Sequence, residues 1–392
     1  MNKWIIPALA TFTLAPLSYA SDLAYLYKDM RIMGMGGANV ASGGYSSSLF
    51  SNPAGIANLP TDHGMIVELL GLSATGSTNA SDVFSDLVDA VDSDDEDQIV
   101  DVLEKYSGQR THVDVANYSS ISKNHGNYAW SVGLLAASDI NLTAHANSLD
   151  GILEVQSRAY GGLTGAYAHT FEQVGNGDLQ LGLGVKFLSQ KSFEGKLSPA
   201  DLLSGDDLGD ELRDKMEKDN SGFAIDLGAI YQFYTDNDLK PALGLSIMNI
   251  GSVDFNDTYG GQPTTVNIGA SIEPTIPFLK RTRIAVDYVD LFNANKYRIY
   301  NLDDINDDVS YSDYDDSDFL KRLRLGISGL LYESHWSSME LATGIYQGGL
   351  TAGIDFTASV FRLGLTTYEE QTGPEYGDES DRRYSLVLGM AW

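Results

Sequence analysis

The chain has 392 residues, a formal net charge of −29 at pH 7 and no cysteine. The absence of cysteine excludes a disulfide framework and thiolate chemistry, and the acidic balance disfavours nucleic acid as a partner. The 40 glycines and 22 tyrosines suit closely packed strands with aromatic residues at membrane interfaces. A chain of this length fits either a few soluble domains or one large barrel.

The N-terminus has the pattern of a secretory signal peptide. A short basic start precedes an apolar, uncharged stretch at 4–17, and Ser18 and Ala20 place small residues before a cleavage site. An N-terminal membrane anchor is the weaker alternative, because the apolar stretch is short and ends in this cleavage pattern. We therefore expect residues 1–20 to be removed on export. The rest of the chain has no apolar run of the ~18 residues that a membrane helix requires.

The segment 30–60 is rich in small residues, weakly charged and without strand-like alternation. An irregular segment of this kind can fold inside a barrel, where its backbone is shielded from lipid, and Asn52-Pro53 favours a turn. A periplasmic tail is disfavoured by the apolar content of the segment. We predict that residues 21–62 form a hatch in a barrel lumen. The candidate hatch residues are Gly34, Gly36, Gly37, Asn52, Pro53, Ala54 and Gly55.

The remaining chain, 63–392, consists of strand-like stretches without a domain linker. In 221–234, for example, Phe223 and Leu227 lie on an apolar face, whereas Asp226 and small residues lie on the other. This period of two is what a wall between lipid and lumen requires. Fourteen stretches have strand character: 63–75, 109–123, 126–138, 151–171, 178–191, 221–234, 240–253, 263–274, 282–291, 320–333, 337–346, 349–357, 359–370 and 382–392.

The connections between these stretches alternate in length. Gaps after even-numbered stretches are short, and gaps after odd-numbered stretches include every long one. The long gaps are 76–108, 192–220 and 292–319, the middle-sized ones are 139–150, 254–262 and 371–381, and the short exception is 347–348. Membrane barrels have short periplasmic turns and long outer loops, whereas a soluble sandwich has no reason to sort its loops. The sequence therefore predicts an all-β, transmembrane antiparallel barrel of about 14 strands in a Gram-negative outer membrane.

Two outer loops have helical patterns. Ser81-Asp82 are expected to cap a helix with an apolar stripe, and helical spacing resumes from Ile99 after an acidic interruption. In the second loop Ser198 precedes Pro199, a favoured N-cap and first-turn pair. We expect short helices that cover the outer mouth, with disordered acidic loops as the alternative.

Acidic residues crowd two outer loops, at 92–97 and 303–318. Carboxylates at this density can bind Ca²⁺ or join lipopolysaccharide phosphates through divalent ions, although their spacing does not match a calcium loop. The alternative is a solvated, repulsive rim. The six histidines are scattered without metal-ligand spacing, and there is no nucleophile elbow or phosphate-binding loop. We therefore expect no enzymatic activity, no metal and no cofactor.

The last eleven residues, 382–392, alternate large apolar with mostly small residues and end on an aromatic side chain. We predict a final strand that runs toward the periplasm and pairs with the first strand near 63–75. Its apolar face should also serve as the signal that the barrel-assembly machinery reads. The residues of this signal are Tyr384, Leu386, Leu388, Met390 and Trp392.

The stretches 35–38 and 52–55, Met-Gly-Gly-Ala and Asn-Pro-Ala-Gly, resemble the N-terminal hatch of FadL-type outer-membrane transporters of hydrophobic compounds. That superfamily includes the TraF-like plasmid-transfer barrels, and the acidic first outer loop with paired short helices is closer to this branch. The resemblance rests on the hatch, the overall layout and the terminal strand.

This resemblance implies passive uptake. A hydrophobic small molecule would be caught at the outer loops, pass to a lumen site and leave sideways through a strand kink near Asn52-Pro53-Ala54. The candidate capture residues, taken from the apolar stripes of the loops, are Phe84, Leu87, Val88, Leu103, Leu208 and Leu212. The acidic loops put anionic lipids in doubt as substrates.

The alternative is a structural or partner-binding barrel associated with conjugal transfer or secretion machinery. That function predicts a sealed lumen and a partner-binding surface rather than an apolar lumen pocket and a mobile hatch. In either case the expected surroundings are outer-membrane lipid and lipopolysaccharide.

Overall fold

A closed barrel of 14 antiparallel strands forms the centre of the molecule. The structure is a computed structural model that describes residues 25–61, 64–147, 150–204, 218–236, 239–255, 259–300, 311–314, 317–373, 376–377 and 379–392. The predicted fold class is therefore confirmed. The predicted signal peptide, 1–20, lies outside the described residues.

The barrel consists of strands β1–β9 and β12–β16, and each predicted stretch overlaps one of them. The strands are β1 (Ile66–Ser77), β2 (Arg110–Asn124), β3 (Tyr128–Asn147), β4 (Asp150–Phe171), β5 (Gly177–Leu197), β6 (Lys218–Phe233), β7 (Ala242–Gly251), β8 (Thr265–Ile272), β9 (Lys280–Tyr288), β10 (Tyr297–Tyr300), β11 (Tyr311–Tyr314), β12 (Leu323–Glu333), β13 (Ser337–Tyr346), β14 (Gly349–Ala358), β15 (Phe361–Gln371) and β16 (Ser380–Ala391).

The alternation that predicted these strands separates lipid-facing from lumen-facing side chains. In β16, Tyr384 and Leu388 are 57% and 53% exposed, whereas Ser385 and Val387 are buried. Large apolar groups therefore cover the outside of the barrel, as a bilayer requires, and the inward positions take small and polar residues. None of the helices within the described ranges is long and apolar enough to cross a membrane.

The barrel closes by pairing its first strand with its last. Each barrel strand pairs with the preceding and the following barrel strand, and β9 therefore pairs with β12. β1 also pairs with β16 in antiparallel register. At the periplasmic end of this seam, Val67 N donates to Trp392 O at 2.8 Å and Trp392 N donates to Val67 O at 3.0 Å. The predicted pairing of the two terminal strands is thus confirmed.

The predicted middle-sized loop at 139–150 is wrong. β3 continues to Asn147 and β4 begins at Asp150, so the two strands run through this region. The alternation continues there, because Ile140 and Leu142 follow the same face as the residues before them. In this outer part of β3, helices rather than lipid cover the outward face.

Two longer helices and a third, short one lie on the outer loops. Their bounds are α2 (Ala80–Asp92), α3 (Glu96–Lys105) and α4 (Pro199–Ser204), while α1 (Met30–Gly34) lies near the N-terminus and α5 (Phe319–Arg322) precedes β12. The predicted cap of α2 is wrong, since Asn79 is its N-cap and Ser81 and Asp82 lie in the first turn. The predicted cap of α4 is confirmed, because Ser198 Oγ accepts from Asp201 N at 3.2 Å.

An additional hairpin was not predicted. β10 and β11 pair with each other in the long loop before β12, apart from the barrel. The sequence feature that indicates the first of these strands is the run Tyr297 to Tyr300, which is rich in strand-forming residues. The run is short and is followed by acidic sequence.

We predict that deletion of Trp392 lowers the yield of folded barrel, because the seam loses both backbone hydrogen bonds to Val67. The measurement is the heat-modifiable fraction in outer-membrane preparations. Trp392→Phe is the control, since it keeps the backbone bonds and an aromatic side chain at the interface. A normal heat-modifiable yield for the deletion would refute the assembly role of this residue.

Candidate functional site

The N-terminal segment fills the lumen as a hatch. Its described part, 25–61, contains α1 and two short 3₁₀ helices, Ser46–Phe50 and Pro53–Asn58. α1 packs against β13–β16, and the second 3₁₀ helix packs against β2–β6 on the other side of the barrel. Nearly all of its side chains are buried. The hatch therefore bridges the lumen from wall to wall.

The second 3₁₀ helix approaches the wall so closely that glycine is required there. A Cβ atom on Gly182 of β5 would lie 2.6 Å from Ala54 Cα, and one on Gly228 of β6 would lie 2.8 Å from Ala54 N. The ring of Pro53 is 2.9 Å from the same point on Gly228. Real Cβ atoms do not approach backbone this closely, so any larger residue would displace the hatch.

Asn52 fixes this turn from within. Its Oδ1 accepts from Ala54 N at 3.0 Å, which caps the 3₁₀ helix, and its Nδ2 donates to Val40 O at 2.7 Å. Nδ2 also lies 3.2 Å from Ala229 O in β6. Gly55 packs against another part of the hatch rather than the wall. Asn52, Pro53 and Ala54 thus lie against β5 and β6. Their role as the hatch contact for a passing molecule stays a prediction.

The glycines at the end of α1 meet the opposite wall. Gly36 and Gly37 have positive φ angles of 65° and 77°, a conformation that few other residues adopt. Gly36 N donates to Thr351 Oγ1 at 3.1 Å, and this hydroxyl donates to Gly34 O at 2.8 Å. The turn after α1 is thereby fixed to β14.

A buried carboxylate holds the middle of the hatch. Asp287 of β9 accepts from Asn39 N at 2.6 Å and from Val40 N at 2.7 Å. Hydrogen bonds to a charged acceptor are stronger than neutral ones, and removing a buried partner leaves the N–H groups unsatisfied.

An ion network joins α1 to three strands. Arg31 contacts Asp29 at 2.7 Å and Glu68 of β1 at 2.9 Å. Arg362 of β15 contacts Asp355 of β14 at 2.8 Å and lies 3.7 Å from Asp29. These groups are largely buried, so the loss of one partner would leave an uncompensated charge.

A small cavity of about 40 Å³ lies on the outer side of the hatch. Its lining is polar and rich in tyrosine, and includes Tyr25, Lys28, His112, Arg158, Tyr160 and Arg383. Arg158 donates to Asp139 Oδ2 at 2.5 Å and to Tyr25 O at 2.6 Å. This outer cavity has room for a few water molecules, not for a substrate, unless the hatch moves.

A larger cavity of about 250 Å³ lies on the periplasmic side. We call it the periplasmic vestibule. Its walls include the start of β1 at Ile66 and the end of β16 at Trp392, together with hatch residues Tyr45 and Pro60. The hatch therefore separates two cavities of different size.

The candidate capture residues fall into three groups. Leu87 and Leu103 are buried in a core between α2, α3 and the outer ends of β3–β5, and Phe84 is half-buried beside it. Val88 is 50% exposed on the outer surface of α2. Leu208 and Leu212 lie outside the described residues. The capture role of all six stays a prediction.

A surface ion pair ties α2 to the end of α3. Lys105 Nζ and Tyr106 OH each donate to Asp86 at 2.6 Å. These two hydrogen bonds lower the pKa of Asp86. The outer helices thus form one packed unit on one side of the mouth.

Sequence reasoning missed the residues that bind the hatch to the wall. Asp287, Arg362 and Asp355 occupy ordinary lumen-facing polar positions of their strands, and Glu68 does the same in β1. Their partners lie in the hatch or in other strands, so no local pattern identifies them. Among the described residues, no group of three or more metal-ligating side chains could hold a metal ion.

The sequence profile described as "F plasmid transfer operon, TraF, protein" matches residues 49–273, which is more than half of the chain. The chain belongs to this family. The match covers the last third of the described hatch and the first eight barrel strands. No curated protein matches the sequence.

The solved structures that resemble this TraF-family barrel include two toluene transporters. TbuX of Ralstonia pickettii is 11% identical with a TM-score of 0.54, over 93% of this chain and 98% of that one. TodX of Pseudomonas putida is 10% identical with a TM-score of 0.50, over 95% and 99%. The shared fold and the lipid-facing apolar band place the protein in a Gram-negative outer membrane.

We predict that Gly182→Ala loosens the hatch without unfolding the barrel, because the added Cβ meets hatch backbone at Ala54. The expected result is higher ion conductance in planar lipid bilayers. Gly165→Ala in β4 is the matched control, since its Cβ would find the nearest atom at 3.4 Å. Equal conductance of the two variants would contradict the prediction.

Proposed function

We propose that this barrel is a passive channel for small hydrophobic or amphipathic molecules, gated by movement of the hatch. The observation that carries the proposal is the hatch itself, which separates two cavities and is held by side-chain bonds rather than by strand pairing. A shift of the hatch would join the cavities while leaving the barrel ladder intact. The shared fold with two toluene transporters supports the architecture, not the substrate.

The lining of the pathway refines the substrate class. The outer cavity carries tyrosines beside charged groups such as Lys28 and Arg158, so a molecule with a polar group is favoured over a pure hydrocarbon. The acidic outer loops and the net charge of −29 disfavour anions at the entrance.

A lateral exit near Asn52 has a structural candidate. The register of β6 against β7 shifts between Ile225 and Leu227, one residue from the hatch contact at Gly228. On the lumen side of this bulge, Lys186 lies 3.0 Å from Asp226 and 2.7 Å from Asn249. Strand bulges bend a wall locally, but this buried ion pair would have to move for a hydrophobic molecule to pass.

A second function, a partner-binding barrel, is favoured by the family match and by the outer surface. β4 has 22 residues and β5 has 21, whereas a membrane strand needs about 9–11. These strands therefore extend far beyond the bilayer and carry the outer helices. A projecting, folded surface of this kind suits a protein partner, including the transfer machinery that the family description names.

We predict that a disulfide between hatch and wall abolishes uptake. The chain has no cysteine. A Cβ atom on Gly34 would lie 3.2 Å from Ala342 Cβ in β13 and 3.0 Å from Gly353 Cα, so a shift of a few tenths of an ångström brings the pair to the ~3.5–4.5 Å Cβ separation of a disulfide. The double variant Gly34→Cys/Ala342→Cys should take up a hydrophobic dye into proteoliposomes only after reduction. The two single variants are the controls and should transport in both redox states.

Deletion of residues 30–60 completes the test. Under the channel proposal the deletion gives unregulated uptake, and the unmodified barrel gives slower uptake that the disulfide stops. No dye uptake by the unmodified barrel or by the deletion variant, combined with recovery of envelope machinery in pull-downs, would overturn the channel proposal in favour of the partner-binding barrel.

A further inference from the structure

The periplasmic vestibule contains an arginine that is in no ion pair with the described residues. Arg283 of β9 lines the vestibule and is half-buried. Its guanidinium lies over the ring of Tyr45 at 5.1 Å from the centroid, and packs on Gly44, where an added Cβ would be 2.7 Å from Nη2. Across the described ranges, Arg283 has no ion-pair or hydrogen-bond acceptor, in contrast to most other lumen arginines.

A second hydrogen-bond donor lines the same vestibule. Ser46 follows Tyr45, lines the same vestibule and is 2% exposed, and its Oγ has no hydrogen-bond partner. A buried hydroxyl without a partner is uncommon, because its desolvation is uncompensated.

The carboxylates of the vestibule are already engaged. Glu340 accepts from Tyr45 OH at 2.8 Å, Glu68 pairs with Arg31 at 2.9 Å, and Asp355 accepts from Arg362, outside the vestibule lining, at 2.8 Å. They leave Arg283 unpaired, but their charges still repel a polyanion. The site therefore favours a single negative charge over a phosphate dianion.

Apolar side chains form a further part of the lining. Leu59, Pro60, Ile66, Leu330 and Trp392 face the same space of about 250 Å³. This volume is slightly below the ~300 Å³ at which ligand pockets usually begin. Of the three arginines in the lining, Arg31 and Arg281 are in ion pairs, and Arg283 beside apolar walls fits a compact organic acid.

We propose that the periplasmic vestibule is a binding site for a small organic monocarboxylate, held by the Arg283 guanidinium and the Ser46 hydroxyl. The carboxylate takes the open donors of Arg283, and the apolar body packs against Leu59 and Trp392. Binding at this site does not depend on transport through the hatch.

Benzoate is the probe, and its binding to the full-length barrel in phosphatidylcholine nanodiscs is measured by saturation-transfer NMR and calorimetry. Benzamide, a neutral molecule of nearly the same shape, should bind at least about fivefold more weakly. Arg283→Gln should weaken benzoate binding about tenfold and Ser46→Ala about threefold, in line with the loss of charge-assisted hydrogen bonds. Inorganic phosphate should compete poorly.

Arg281→Gln is the matched control. Arg281 lies on the same strand and lines the same vestibule, but it already pairs with Glu333. Benzoate affinity should therefore stay within about twofold of the unmodified protein, a small change on the free-energy scale. Equal binding of benzoate and benzamide would overturn the proposal. Unchanged benzoate affinity in both Ser46→Ala and a folded Arg283→Gln would overturn it as well. If Arg283→Gln does not fold, the benzamide comparison and Ser46→Ala decide.

Discussion

The architecture depends on the direct contact of hatch backbone with barrel backbone. A lumen of 14 strands is too wide for wall side chains alone to fill. Here the hatch occupies it, and glycines such as Gly182 and Gly326 allow the two backbones to meet. Because this contact contributes little side-chain interlocking, specific bonds from Asp287, Asn52 and Thr351 hold the hatch in register.

The bonds that hold the hatch differ in kind from those that hold the barrel. Continuous strand pairing closes the wall, and within the membrane its backbone hydrogen bonds are shielded by lipid on the outside. The hatch is fixed instead by a few buried polar groups and an ion network around Arg31. Local unfolding is easiest where few such interactions must break. The two parts can therefore differ in mobility within one chain.

The sequence allowed the barrel to be predicted in detail because its rules are local. Alternation along each strand and the sorting of loop lengths follow from lipid, lumen and the direction of the chain. The predicted loop at 139–150 is wrong because the strand alternation continues through Ile140 and Leu142. The hatch contacts could not be predicted, since Asp287 resembles any lumen-facing polar residue until Asn39 is placed beside it.

Unequal strand length has a consequence for the shape of the entrance. β3, β4 and β5 have 20–22 residues, whereas β7, β8 and β9, which follow around the barrel after β6, have only 8–10. Strands of 8–10 residues hardly clear the hydrocarbon layer. The part of the rim that the strands form is thus tall along β3–β5 and low along β7–β9. The membrane surface therefore meets a projecting wall along β4 and β5 and short strands along β7 and β8.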